Sequence, residues 1–158
     1  MDNRNFAGSE NKYRVLLENL PQKIFHKDKN SVYVSCNNNY ARNLKIQNDE
    51  IIGKTDYDFY NKELAEKYRE DDKRIIESGK TEYIEEKYIQ TGQELVVQTV
   101  KIPLKDEKGN TIGILGIFWD ITEHRQIEEA LKESEERYRT IIESVSYTHL
   151  TLPTIYSV

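Results

Sequence analysis

One cysteine in 158 residues, Cys36, excludes an intramolecular disulfide and any metal site made of cysteines alone, and it fits a reducing compartment. The three histidines, His26, His124 and His149, stand far apart and show no metal-ligand spacing, so no metal is expected. No apolar run approaches the ~20 residues that cross a bilayer. The opening Met1-Asp-Asn-Arg-Asn5 also lacks the basic-then-apolar order of a secretion signal. A cytoplasmic location is therefore expected. Positive charge is short as well: 23 Lys and Arg against 28 Asp and Glu give a formal net charge of -5, with lysines interspersed among glutamates. Phosphate backbones call for a basic stripe, so nucleic acid is not an expected partner.

What is present is a chain 37% hydrophobic and 32% charged whose apolar residues are clustered rather than diluted. The length suits one domain with flanking helices, and a core of about 110 residues buries roughly two-thirds of its unfolded surface without staples. Residues 1–8 carry no periodic signal and are expected to be disordered. From Ser9, a good N-cap, Tyr13, Leu16, Leu17 and Leu20 recur at helical spacing, and Pro21 stops that helix. Short extended pieces follow, Ile24 to Lys27 and Val32 to Ser35, joined by a turn. Short helices come next, punctuated by Tyr57, Phe59 and Tyr60, and then a long helix from Lys62 to Ser78 that ends at Gly79. Three strands close the pattern as a meander: Glu82 to Ile89, Glu94 to Leu104 and Thr111 to Ile121. The last has no polar alternation between Ile112 and Trp119, so both of its faces must be covered.

Helical period returns after Thr122 and runs to about Val145, with His124, Leu131, Tyr138 and Val145 at one position of a heptad and Ile127, Ser134 and Ile141 at the other. An imperfect coiled coil is expected there. Within it, Ser134-Glu-Glu-Arg-Tyr-Arg-Thr-Ile-Ile-Glu-Ser-Val145 repeats Ser9-Glu-Asn-Lys-Tyr-Arg-Val-Leu-Leu-Glu-Asn-Leu20 at an offset of 125 residues. A period of that length is a whole domain, so residues 123–145 are expected to be a linker helix that begins a second module. Residues 146–158 lack Asp, Glu, Lys and Arg altogether and read as a non-native tail.

The order of elements resembles the PAS family over about Ser9 to Glu123. Its most specific pieces are Gly113-Ile-Leu-Gly-Ile-Phe-Trp-Asp-Ile-Thr-Glu123, Lys101-Ile-Pro-Leu-Lys-Asp106 and Gly53-Lys-Thr-Asp56. Together they point to the sensor modules of histidine kinases and diguanylate cyclases. The resemblance implies an α+β fold with residues 21–122 as its core: a five-stranded antiparallel sheet, short helices and one long helix on one face. An N-terminal amphipathic helix and a C-terminal coiled-coil helix complete it.

It also implies a cavity between sheet and helices, with Tyr57, Phe59, Tyr68, Asp72, Gly116 and Phe118 as expected ligand-binding residues. Alternation sends Leu115, Ile117 and Trp119 to the opposite face, expected to lie under the entry helix with Leu16 and Leu17, or under a second protomer. Asp72 on the apolar side of the long helix must be hydrogen-bonded, facing a ligand or a tyrosine hydroxyl, or reach water at the helix edge. Asp120, Ile121, Thr122 and Glu123 read as a capping box that joins the last strand to the exit helix, the junction through which the family transfers its signal.

The expected function is a sensory and dimerisation module, not an enzyme. It would bind a small ligand or cofactor of unknown identity and act on downstream signalling domains of a larger protein. The alternative is a ligand-free spacer that sets helix register. A flavin-cysteine adduct is argued against because Gly53 to Tyr60 holds no cysteine, and haem because the long helix holds no histidine. Non-covalent flavin stays open.

Overall fold

The computed structural model describes residues 3–156, without the side chains of residues 3–7, 88–90 and 147–156. Helix α1 (Asn3–Asn19) begins six residues before the expected Ser9 start, over part of the stretch expected to be disordered. Strands β1 (Lys23–Asp28) and β2 (Tyr33–Cys36) form the first hairpin, followed by α2 (Asn38–Leu44), a 3-10 turn (Asn48–Ile51) and α3 (Asp56–Phe59). Helix α4 (Lys62–Ser78) is bounded as its sequence dictates: the Asn61 side chain accepts from the Leu64 amide at one end, and Gly79 turns left-handed, φ 65°, at the other. Strands β3 (Glu82–Gln90), β4 (Gln93–Lys105) and β5 (Thr111–Asp120) complete the sheet, and α5 (Thr122–Tyr156) leaves it. Residues 1, 2, 157 and 158 lie outside the described residues, and the helical backbone of α5 runs on through most of the stretch read as a tail.

All strand pairs are antiparallel, in the order β2-β1-β5-β4-β3. The first hairpin thus pairs with the last strand, which makes β5 central and explains its unbroken apolar run. Phe25 lies opposite Gly116, and Lys101 lies opposite the same glycine from the other side. Phe25, Lys27, Val97, Thr99, Lys101 and Phe118 therefore share the helix-covered face, and Ile24, Val96, Val100, Leu115, Ile117 and Trp119 share the other. The core gathers Phe25, Tyr33, Tyr40 and Ile51, with Phe59 and Phe118 packed against it.

The outer face is not roofed by α1. Leu16 and Leu17 stay 55% and 43% exposed, and Leu115, Ile117 and Trp119 are half-buried. What holds α1 is its last turn: Glu18 accepts from the Asn38 amide at 2.8 Å and from Asn48 Nδ2 at 3.1 Å, and the Leu17 carbonyl accepts from Asn37 Nδ2 at 3.3 Å.

Candidate functional site

Between the inner face of the sheet and α2–α4 lies a cleft of about 510 Å³. Its walls are part apolar (Leu64, Leu95, Val97, Phe118), part aromatic (Tyr40, Tyr60, Tyr68) and part charged (Lys23, Lys27, Asp56, Glu86, Lys101, Asp120). Such a mixture of apolar surface and a few fixed polar groups is what small-molecule sites use.

The cleft rests on a chain of buried charges that alternation alone forces into contact. Lys27 follows Phe25 by two on β1, and Lys101 follows Thr99 by two on β4, so both ammonium groups point inward, where an unpaired charge is costly. Asp72 of α4 sits between them, fully buried: Oδ1 accepts from Lys101 Nζ at 2.6 Å and Oδ2 from Lys27 Nζ at 2.9 Å. Lys27 Nζ also donates to Asp56 Oδ2 at 2.6 Å, and Lys101 Nζ to the Tyr68 carbonyl at 3.3 Å. Asp56 Oδ1 in turn accepts from Tyr33 Oη at 2.7 Å. Tyr33, Tyr40 and Tyr60 continue the chain through their hydroxyls at 2.8 and 2.9 Å.

Two ammonium groups against two carboxylates leave the chain balanced. Burial works to raise the Asp72 carboxyl, but Lys101 and Lys27 outweigh it and hold the group below the usual carboxylate range. Burial, then the neighbouring Tyr40 and Asp56, push the Tyr33 phenol far above its ordinary value, so it stays a donor.

Sequence reasoning placed some of these groups and missed others. Tyr68 and Phe118 line the cleft, Tyr68 with its ring edge-on to Tyr60 at 5.2 Å. Asp72 lies behind the cleft wall, fully buried, and contacts two lysines rather than a tyrosine hydroxyl; the carboxylate that takes the tyrosine is Asp56. Gly116 is not on the wall, because the Phe25 ring lies over it and a Cβ there would stand 2.0 Å from Phe25 Cζ. Phe59 packs edge-on against Tyr33 at 5.8 Å, in the core behind the cleft. Tyr57 is half exposed and faces a separate depression beside Arg69, whose guanidinium stands 5.2 Å from its ring. Lys27, Lys101, Asp56, Tyr33 and Tyr40 were missed, although a lysine at an inward strand position is itself a signal that a buried acid must lie opposite.

At the open end, Phe118 and Asp120 of the cleft wall lead directly into α5. Asp120 Oδ1 accepts from the Thr122 amide at 2.8 Å, two residues on rather than three, and from the Thr122 hydroxyl. These bonds hold the exposed Asp120 carboxyl below its ordinary value. Thr122 Oγ1 accepts from the Val96 amide at 2.9 Å, and the Ile121 amide donates to the Val96 carbonyl at 2.8 Å. The cap is thus an Asx turn tied to β4. No bond from Glu123 back to Asp120 completes the expected box among the described residues. Arg125, one turn into α5, pairs with Glu85 of β3.

Cys36 is half-buried on β2; burial and the nearby Glu18 push its thiol up to about 11. His26 on β1 is lowered by burial, against the pull of Asp28. Among the described residues, no helix is long and apolar enough to cross a membrane, and no group of three or more His, Cys, Asp or Glu side chains could hold a metal ion.

A central five-stranded antiparallel sheet, helices on one face, a cleft beneath them and an exit helix from the last strand together define an α+β module of one sheet and one helical layer. The family model described as the PAS fold matches residues 17–126, and the chain belongs to that family. Of the curated relatives, the methanogenesis regulatory histidine kinase FilI of Methanothrix harundinacea is 29% identical over 95% of this chain and 17% of its own length. A diguanylate cyclase of Vibrio cholerae is 26% identical over 82% of this chain and 40% of its own. The chain therefore spans well under half of either relative. Among solved structures, the PAS domain of Bordetella pertussis BvgS superposes with a TM-score of 0.60 at 24% identity, over 84% of this chain and 99% of that one.

Proposed function

We propose that this chain is a non-catalytic sensory module that binds a small molecule in the cleft and passes its occupancy to α5, for the use of an effector in a larger signalling protein. The observation that carries the reading is the shared strand end: Phe118 and Asp120 line the cleft, and Asp120 with Thr122 caps α5 against Val96. A ligand that shifts the wall by a fraction of an ångström changes the lengths and angles of those bonds. Non-covalent flavin or another small organic molecule fits the mixed lining.

Native mass spectrometry and a visible spectrum of the purified chain test this. A co-purified mass is expected, lost in a Val97→Trp variant that fills the cleft. A bare polypeptide mass, unchanged by any small-molecule library, supports the spacer reading instead.

The same reading includes a homodimer through the flanking helices and the outer sheet face. Ile127, Leu131, Tyr138 and Ile141 keep one heptad face of α5 exposed and apolar. Leu131→Glu is expected to shift the sedimenting species from dimer to monomer. Ile117→Glu, on the half-buried outer face, is expected to weaken the dimer less, and a profile unchanged in both variants would remove the dimer from the proposal.

A further inference from the structure

We propose that residues Ser134–Val145 of α5 are the docking helix of a second core of this same fold, which they grip through Glu143 as Glu18 grips the first. The two segments share Ser, Glu, Tyr, Arg and Glu at matching positions, 125 residues apart. Four of the five in α1, Ser9, Glu10, Tyr13 and Arg14, are exposed, and among the described residues the anchoring bonds of α1 come from its last turn instead. The fifth, Glu18, is the anchor: one carboxylate oxygen takes the first amide of α2 at Asn38, where the helix dipole favours negative charge, and the other takes Asn48 Nδ2. The repeat therefore keeps the residue that touches a core, at a place in α5 that touches none.

Glu143 and the apolar residues around it, Ile141, Ile142 and Val145, are exposed in an unbroken helix. The partner cannot be another copy of the present core, because α1 already occupies the equivalent seat there. It is a core whose own entry helix is this segment.

The geometry of one helix then relates the two cores. Arg125, held by Glu85 of this core, and Glu143 are eighteen residues apart, which is about five turns and about 27 Å. They lie on nearly the same side of the helix, and Glu143 is two residues from Ile141, off the heptad seam. Docking of the second core and pairing of two chains along the seam are thus compatible.

The test exchanges segments within the full chain: residues 9–20 are replaced, in register, by the sequence of residues 134–145. The chimera is expected to fold, to melt within a few degrees of the parent, and to keep the Asn38 amide protected from exchange. Gln in place of the glutamate at position 18 should lower Asn38 protection about tenfold in the chimera and in the parent alike, as loss of one charged hydrogen bond does. A control carrying residues 123–134, which place Lys132 at that position, should fold without the protection. The proposal is overturned if the chimera fails to fold, if it behaves as the control does, or if the glutamine change leaves either background unaffected. Glu143→Gln in the parent should leave sedimentation unchanged; a fall to monomer would assign the stretch to a second copy of the chain and overturn the proposal too.

Discussion

Replacing Asp72 with alanine should destabilise the chain by about 3–5 kcal/mol, because it removes the one group that neutralises two buried ammonium ions together. Lys27 and Lys101 are 1% and 4% exposed, so each depends on buried partners for its charge. Lys27 keeps Asp56, but Lys101 is left with only the Tyr68 carbonyl. A loss of that size consumes much of the stability of a typical domain and should lower the melting midpoint by about 6–20 °C for a chain of this length. Urea titration measures it directly. The double variant Asp72→Leu, Lys101→Met should recover most of the loss, since Lys27 keeps Asp56 and no buried charge is left without a partner. If Asp72→Ala alone cost less than 1 kcal/mol, the buried chain of charges would not be what holds α4 to the sheet.

The same carboxylate sets the acid limb of stability. Its folded value lies below the ordinary one, so the unfolded chain takes up the proton first as pH falls. The stabilisation is complete above the unfolded value near 3.8 and is lost as pH falls through the lower folded value. Asp72→Ala should flatten the part of the stability-pH profile that lies below about pH 4.

Gly116→Ala is expected to have the next largest effect, about 1–3 kcal/mol. The new methyl would stand 2.0 to 2.5 Å from three atoms of the Phe25 ring. That ring is hemmed in by Tyr33, Tyr40 and Phe118, with centroids 5.5 to 6.2 Å away, so it cannot swing aside within the core. Its open direction is the cleft, and a displaced Phe25 would shrink the space a ligand uses. The variant should therefore lose stability and any co-purified molecule together. Phe25→Leu removes the atoms in conflict, so the double variant should cost less than the sum of the two single changes. Strict additivity would show that the ring and the glycine do not oppose each other.

How much of this was legible depended on whether a signal was local. The limits of α4 were written in Asn61 and Gly79, and those of the meander in its two turns, because capping and turn chemistry need only neighbours in the chain. Alternation along β5 separated Phe118 from Leu115, Ile117 and Trp119. The cleft was legible only in part. Tyr57 and Phe59 share a short helix with aromatic spacing, yet one faces solvent beside Arg69 and the other the core behind Tyr33. Spacing within four residues cannot tell these apart.

The sequence by itself determined the order of elements, the exit helix and the repeated entry segment, since each follows from periodicity and from residues that act on their near neighbours, and the fold class followed from the family resemblance that this order carries. Only the tertiary structure decided that Lys27, Asp56, Asp72 and Lys101 form one charge-balanced chain and that Phe25 closes over Gly116. Those residues are brought together by the pairing of β1 with β5 and of β4 with β5. Partners up to 45 positions apart meet through that long-range register, and a buried charge finds its counter-ion across the sheet rather than along the chain.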